Sequence, residues 1–269
     1  MDIDFLKDFL RYKKYQYLKL KNYNYNFKKD RSVSKYVSEI HKKGYVVIKN
    51  YLPSNECEKI IKIIDDFIKN KPNMVWMDPL GSDIRIHGAE NISTEMKNLV
   101  EKKISFTKKV GEQYLNQKID LFMMMANRTI FKNSNLGSGQ GWHKDSYSKQ
   151  FKSILYLYDV NEKNGPFQIL KKSNSDVFMM KLFFKLKKKY PSTRFSNDEI
   201  MGILNNNKNK IEELNAKAGT LILVDTNFIH RGKPLNQDRR YALTNYFFPI
   251  RDFPNHKDHF LPKIDKVMN

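Results

Sequence analysis

Residues 219–248 decide the fold class and read GTLILVDTNFIHRGKPLNQDRRYALTNYFF. In this stretch an apolar, β-branched run ends at His230, a turn follows, and a second run rich in aromatic residues begins at Arg240. Similar runs occur at 121–131, 151–160 and 165–170. Runs of this kind, bounded by Gly, Asn, Asp or Pro, are typical of β-strands. Because the strands do not alternate with helices as in βαβ units, the pattern predicts an antiparallel sandwich or barrel.

The segments around these strands predict helices that pack one face on the β core. A strand is predicted at 45–48, and Ser54 is the candidate N-cap of the helix that follows. Apolar residues then recur at the i, i+3, i+4 spacing until Pro72 ends the helix. Residues 73–93 contain several Pro and Gly and are predicted to form a loop. Further helices are predicted over 95–115 and, as an insertion in the domain, over about 176–215.

The charge of the chain raises the question of a nucleic-acid partner. Lys and Arg outnumber Asp and Glu by 49 to 29 in 269 residues, for a formal net charge of +20. Basic side chains that neutralise phosphates release counterions and thereby favour nucleic-acid binding. Here, however, the basic residues are spread along the whole chain among many asparagines, as on an ordinary solvated surface. We therefore expect no nucleic-acid partner.

Cysteine content and the N-terminal sequence indicate a cytoplasmic protein. The single cysteine, Cys57, cannot form an intramolecular disulfide, so the sequence does not require an oxidising compartment. The first residues, MDIDFLKDFLRYKK, lack the uninterrupted apolar stretch of a signal peptide. We also expect no membrane span, because a hydrophobic content of 40% and a mean hydropathy of −0.66 are too low for a membrane protein.

Two histidines and a carboxylate form a candidate metal site. In GSGQGWHKDS, His143 precedes Asp145 by two residues, so in an extended segment both side chains lie on one face. If this strand pairs with the one that ends at His230, three ligands occupy one side of a metal and leave the other side open, as in non-haem Fe(II) oxygenases. Taken alone the HxD pattern is a weak signal, because a lone histidine at a strand end is more often structural.

Arginine at the start of the last strand adds a second function to the same region. The guanidinium of Arg240 can bind a carboxylate through two hydrogen bonds, as a dicarboxylate cosubstrate requires. Arg239 is the neighbouring alternative for this role.

Several of these segments resemble the phytanoyl-CoA dioxygenase family of Fe(II)- and 2-oxoglutarate-dependent oxygenases. The resemblance rests on GWHKDS, DVNEKNGPFQIL, GTLILVDTNFIHRGKPLNQDRRYAL and the N-terminal GYVVIKNYLPSNECEKI, in that family's order. It implies a double-stranded β-helix, or jelly-roll, with a mainly β core and with N-terminal and inserted helices, α+β overall. The implied domain covers 40–252. Residues 1–39 are then a docked N-terminal extension, and 253–269 form a C-terminal tail.

The family pattern also assigns residues to the site. It implies His143, Asp145 and His230 as iron ligands, with 2-oxoglutarate as cosubstrate and O₂ as oxidant. It places Arg240, and not Arg239, on the distal carboxylate of 2-oxoglutarate, because the family's Arg, one residue, then Ala-Leu falls on 240–243. Further expected contacts are Asn127 and Lys152 with the cosubstrate, and Arg85, His87, Trp142 and Tyr147 with the substrate.

The implied reaction is hydroxylation of an unactivated C–H bond in a small-molecule or acyl substrate, with release of succinate and CO₂. The carboxylate ligand Asp145 favours hydroxylation, because halogenases of this chemistry lack it. The excess of basic residues is a weak indication that the substrate is anionic. Two alternatives stay open: a zinc-dependent hydrolase that uses the same three residues, and a basic nucleic-acid-binding module without catalysis.

Overall fold

Two antiparallel β-sheets form the core in the computed structural model of the chain. The structure describes residues 6–11, 13–14, 29–188, 190–205, 207, 210–254, 256, 260 and 263–264. Its helices are α1 (Ser34–Lys43), α2 (Ser54–Asn70), α3 (Thr94–Leu115), α4 (Asp176–Leu186) and α5 (Asn197–Ile203). Its strands are β1 (Tyr45–Ile48), β2 (Trp76–Met77), β3 (Asp83–His87), β4 (Ile119–Ile130), β5 (Trp142–His143), β6 (Phe151–Tyr156), β7 (Phe167–Leu170), β8 (Arg194–Phe195), β9 (Ile211–Leu214), β10 (Leu221–Asp225), β11 (His230–Gly232) and β12 (Arg239–Pro249).

The strand order confirms the predicted mainly β, jelly-roll core. Seven strands pair in the order β1-β10-β6-β12-β4-β3-β2, and five in the order β8-β5-β11-β7-β9. Strands that are neighbours in a sheet are often distant in sequence, because the chain passes repeatedly from one sheet to the other. Two stretches that carry functional residues, 142–143 and 230–232, thereby become neighbours in the five-stranded sheet.

Alternation along the central strands separates a packing face from a cavity face. On β12, Tyr241, Leu243 and Phe247 are buried in the main hydrophobic cluster, which also contains the apolar faces of α1 and α2. Arg240 and Ala242 point to the other side of the sheet and line a cavity. Each fully buried aliphatic or aromatic side chain contributes about 1.5–3 kcal/mol, so this face holds the sheet in place.

The predicted helices and first strand are present, with one local difference. The strand at 45–48 and the helix over 95–115 correspond to β1 and α3. Ser54 is the first residue inside α2 and does not cap it, because Pro53 is the N-cap and makes no side-chain cap hydrogen bond. Proline is well suited to a helix start, where no backbone N–H is required.

Residues 73–93 are not the loop that their Pro and Gly suggested. They contain β2 and β3, and β3 pairs along its whole length with β4. The strand reads Asp-Ile-Arg-Ile-His, in which the two isoleucines enter the main hydrophobic cluster and Arg85 and His87 line the cavity. This alternation of polar and apolar residues resembles that of a segment with one face exposed to solvent. Here, however, the polar residues face an internal cavity.

The insertion at 176–215 contributes strands as well as helices. Besides α4 and α5 it contains β8, which pairs with β5, and β9, which pairs with β7. These are the two edge strands of the smaller sheet, and pairing with an existing edge selects the strand conformation where local sequence preference for it is weak. The helices pack over this sheet in a second cluster that includes Trp142, Phe183 and Phe195.

The chain termini contact the domain where they are described. Residues 6–11 and 13–14 are helical, and the ring of Phe9 lies 5.4 Å from that of Tyr190. At the other end, His256 stacks on Phe248 with 3.6 Å between ring centroids, and Phe260 lies 5.5 Å from Tyr246. Among the described helices, none combines the length and apolar character needed to cross a bilayer.

A glycine in α3 provides a test of this packing. A Cβ atom at Gly111 would lie 2.5 Å from the ring of Phe151 and 2.6 Å from Ile119 Cδ1. We expect Gly111→Ala to lower the free energy of unfolding by about 1–3 kcal/mol, because overpacking outweighs the helix preference of alanine. Urea unfolding followed by circular dichroism measures the change.

The matched control is Gly202→Ala in α5, where nothing lies within 4 Å of the added methyl group. This variant should be as stable as the wild type or up to about 1 kcal/mol more stable. Equal stability of the Gly111→Ala variant and the wild type would contradict the close approach of α3 to β6.

Candidate active site

Pairing of β5 with β11 brings the three candidate ligands together. His143 is the direct cross-strand partner of His230, and their ring centroids lie 4.3 Å apart. Asp145 lies two residues beyond the end of β5, with Oδ1 3.7 Å from His143 Nε2 and Oδ2 3.6 Å from His230 Nε2. One ligand atom from each residue lies within 4.8 Å of the others, so the group could hold a metal ion.

Backbone carbonyls orient both imidazoles. Nδ1 of His143 donates to the carbonyl of Gly141 at 2.9 Å, and Nδ1 of His230 donates to that of Phe228 at 2.8 Å. A carbonyl only accepts, so the proton is on Nδ1 and the lone pair of each ring is on Nε2, on the side of Asp145. This is the tautomer in which a metal-binding histidine is held by its outer hydrogen bond.

The charge states of the three residues also suit a divalent cation. Burial, together with the neighbouring His230, lowers the pKa of His143 to about 3, and burial likewise lowers that of His230. Desolvation alone would raise the pKa of Asp145, but Lys152 and the two imidazoles outweigh it and hold that pKa below its usual value. Two neutral imidazoles and one carboxylate match the donor set of non-haem iron.

The three residues line a cavity of about 780 Å³ whose other wall is the inner face of the larger sheet. Across this sheet the register places Tyr156, Ala242, Asn127 and Arg85 in one row, on β6, β12, β4 and β3 respectively. Ala242 is the small member of the row and leaves space between its larger neighbours. The cavity therefore combines a metal-binding wall with a polar wall of a different sheet.

Arg240 is buried in this cavity and has no carboxylate partner among the residues that the structure describes. Its side chain donates from Nη1 to the carbonyl of Gly165, and its Nε is buried with no hydrogen-bond partner. Within the described part of the chain it forms no ion pair, and burial lowers its pKa. A buried cation of this kind is costly unless a ligand compensates it, so the site fits a carboxylate such as that of 2-oxoglutarate.

Gly232 makes room for this guanidinium. A Cβ at position 232 would lie 2.8 Å from Nη2 of Arg240 and 3.0 Å from Nη1. Sequence reasoning did not single out this glycine, although its place two residues after His230 puts it on the same face of β11. At Gly232, strand β11, which begins at His230, lies against the side chain of Arg240 on the opposite sheet.

Residues 40–242 match the sequence profile of the family described as phytanoyl-CoA dioxygenase (PhyH). The chain belongs to this family. The match covers most of the chain and includes all three candidate ligands and Arg240. The family resemblance seen in the sequence is therefore confirmed. As a member of this family, the protein is an Fe(II)- and 2-oxoglutarate-dependent oxygenase.

Solved structures of similar fold support the jelly-roll architecture. The iron-bound EctD from S. alaskensis superposes with a TM-score of 0.60 at 14% identity, over 81% of this chain and 77% of EctD. The epimerase SnoN from nogalamycin biosynthesis gives 0.58 at 12% identity, over 81% and 82%. HygX from Streptomyces hygroscopicus, with nickel and 2-oxoglutarate bound, gives 0.57 at 13% identity, over 80% and 87%. At these identities the likeness establishes the jelly-roll fold. No curated protein sequence matches the chain.

The two residues expected beside the cosubstrate of this PhyH-family chain both line the cavity. Lys152 Nζ lies 2.7 Å from Asp145 Oδ2 and 3.9 Å from the ring centroid of Tyr246. Its charge therefore balances that of Asp145, one of the three candidate metal ligands. The amide of Asn127 donates to Asp83 and, at 3.3 Å, to the carbonyl of Ile84. Its nitrogen is thus occupied by neighbouring groups of the sheet.

Three of the four expected substrate contacts also line the cavity: Arg85, His87 and Tyr147. Trp142 does not belong to the described cavity wall. Its side chain is 1% exposed and lies in the second hydrophobic cluster, on the outer face of β5. The reason is alternation along the strand, because a residue directly before an inward-facing ligand must face outward.

On that outer face Trp142 forms a stacked pair with Arg231. The antiparallel register that opposes His143 to His230 also opposes these two residues, one position away on each strand. The guanidinium carbon of Arg231 lies 4.2 Å from the Trp142 ring, and its Nε donates to Gln168 on β7 at 2.6 Å. The stacked pair therefore supports the two ligand-bearing strands from behind.

We expect Arg231→Met to weaken metal binding while the fold is retained. Loss of the stacking and of the Gln168 bond loosens the relative position of β5 and β11, and changes behind metal ligands typically cost 10–100-fold in affinity. The prediction is a dissociation constant for Ni(II) raised about tenfold, measured by isothermal titration calorimetry on the metal-free protein.

Lys233→Met is the matched control, because Lys233 pairs with Glu213 at 3.0 Å and does not contact Trp142. It should bind Ni(II) as the wild type does. An unchanged affinity in the Arg231→Met variant, or an equal loss in both, would show that the stacked pair does not position the ligands.

Proposed function

We propose that the protein is a dioxygenase that hydroxylates an unactivated C–H bond of a small-molecule or acyl substrate, with release of succinate and CO₂. One observation carries the proposal: a His-Asp-His group and a buried arginine without a carboxylate partner, among the described residues, line the same cavity. A metal site alone would suit several chemistries. A second site for a carboxylate is what a 2-oxo acid cosubstrate adds.

In this proposal each side chain has a defined role. His143, Asp145 and His230 hold Fe(II), and Arg240 binds the distal carboxylate of 2-oxoglutarate. When bound together, iron and 2-oxoglutarate supply the activation of O₂ and the oxidation of a C–H bond. Lys152 keeps Asp145 ionised and correctly placed, because its ammonium group lies 2.7 Å from Oδ2.

The cavity supports a small-molecule substrate. SnoN has been crystallised with nogalamycin RO and HygX with hygromycin B, both small molecules bound by the same fold. A volume of about 780 Å³ falls in the range of small-molecule sites. We further propose a cytoplasmic location, in which the buried thiol of Cys57 stays reduced.

Reconstitution under nitrogen with Fe(II) and 2-oxoglutarate, followed by O₂ and a pool of metabolites, tests the activity. We expect succinate release that depends on a component of the pool, and no release from His143→Ala or Asp145→Ala. Release that persists in His143→Ala, or no 2-oxoglutarate binding to the wild type, would refute the proposal. A zinc hydrolase would instead need neither O₂ nor 2-oxoglutarate, and a nucleic-acid-binding module would be indifferent to His143→Ala.

The two adjacent arginines provide a matched pair for the cosubstrate site. We expect Arg240→Gln to raise the dissociation constant of 2-oxoglutarate about 10–100-fold, the usual effect of losing charge-assisted hydrogen bonds. Arg239→Gln should leave it unchanged, because Arg239 is exposed and lies 3.6 Å from Asp238. Calorimetric titration of the Fe(II) protein under nitrogen measures both, and an effect confined to Arg239→Gln would assign the carboxylate to the other residue.

A further inference from the structure

Arg85 lies in the polar row of the larger sheet, two strands away from Arg240. It is on β3, with β4 between it and β12. Trp76 is its cross-strand partner, and the guanidinium carbon stacks 4.6 Å from the Trp76 ring. Its side chain is 17% exposed, and the residue lines the cavity that holds the metal-binding group. The reaction as proposed so far does not use it.

Asp83 holds one edge of this guanidinium. Nε of Arg85 donates to Oδ2 of Asp83 at 3.1 Å, and Nη2 donates to the same oxygen. Within the described residues, Nη1 has no hydrogen-bond partner, so part of the five-donor group is unused. Asp83 also accepts from Asn127 and, at 3.5 Å, from Nε2 of Gln140, so its charge is divided among three donor side chains. The arginine is thus fixed in place while some of its N–H groups stay available to a ligand.

The charge around the cavity favours an anion. Loading with Fe(II) and a doubly negative 2-oxoglutarate adds no net charge to this wall, so the excess of cations persists in the loaded protein. Such an excess attracts anions and orients them during approach. Over the described residues, the lining cations are Arg85, Lys149, Lys152, Arg194, Arg240, Arg251 and Lys263, whereas the lining carboxylates are Asp145 and Asp252.

Lys263, in the C-terminal segment, contributes a second cation to the cavity that Arg85 lines. Its Nζ lies 5.6 Å from the ring centroid of Phe260, and burial together with the charge of Arg85 lowers its pKa. Aromatic rings border the same region, since Phe260 lies 5.5 Å from Tyr246. A cationic pair beside an aromatic wall matches a ligand that combines an oxyanion with an apolar body.

We propose that the substrate carries a carboxylate or phosphate group, and that Arg85 and Lys263 bind this group and thereby select the substrate. This inference rests on the proposed function, because the anion is held in the same cavity as iron and 2-oxoglutarate. Arg240 serves the cosubstrate, and Arg85 serves the substrate. The two arginines thus discriminate between two anions that must be bound at the same time.

Two pairs of probes that share an aromatic ring and differ in charge test the proposal. Phenyl phosphate is compared with phenol, and phenylacetate with phenylacetamide, by calorimetric titration of the protein loaded with Fe(II) and saturating 2-oxoglutarate under nitrogen. We expect the anion of at least one pair to bind about tenfold more tightly than its neutral partner, as for a charge-assisted hydrogen bond. Which of the two anions binds more tightly tells phosphate from carboxylate.

Three variants locate the effect. Arg85→Gln and Lys263→Gln should each remove most of the preference for the anion and leave 2-oxoglutarate binding unchanged. Lys263→Gln guards against misfolding, because Lys263 lies outside the sheet and carries no buried ion pair with Asp83. Arg128→Gln is the control: Arg128 pairs with Asp65 at 2.8 Å on the other face of β4, so this variant should keep the full preference.

Several outcomes would overturn the inference. Equal binding of charged and neutral probes by the wild type excludes an anion site, as does a preference that persists in both test variants. If Arg85→Gln weakens 2-oxoglutarate binding and keeps the probe preference, Arg85 belongs to the cosubstrate site. If 2-oxoglutarate does not bind at all, the proposed function fails. Titration of the same probes into the Arg240→Gln protein, in which position 240 cannot bind an anion, then tests the anion site by itself.

Discussion

The antiparallel pairing of β5 with β11 is the constraint on which the rest of the site depends. It opposes His143 to His230, and by strand alternation it also opposes Trp142 to Arg231 on the other face. The inner pair is then free to bind a metal, and the outer pair packs under α4 and α5. Because each short strand has few hydrogen bonds of its own, the side chains on both faces contribute to holding the register.

Buried charge is the second organising feature, and the three most deeply placed cations of the cavity are compensated in different ways. Lys152 pairs with a candidate metal ligand, Asp145, whereas Arg85 pairs with Asp83, which is not one. Arg240 donates to a backbone carbonyl and has no carboxylate partner among the described residues. The two paired cations therefore differ from Arg240, whose charge is available to a ligand. Sequence composition alone does not show this difference.

Two expectations failed on strands beside the cavity, β3 and β5. The segment 73–93 was predicted as a loop, yet β3 is a fully paired strand whose polar side faces the cavity. Trp142 was expected to contact the substrate, yet its position directly before His143 on the strand places it on the opposite face. In both cases the missing information was which face of the strand is internal, and that depends on the second sheet.

The sequence by itself determined the strand-rich core, the two helices that follow β1, the His-x-Asp and distal His pattern, and the family. These follow from local periodicity and from residue spacing, which are properties of the chain. The tertiary structure alone decided that Gly232 makes room for Arg240, that β8 and β9 complete the smaller sheet, and that Asn127 donates to Asp83. Such contacts join residues that are far apart in the chain or on opposite sheets, and only packing selects among the many partners that each could have.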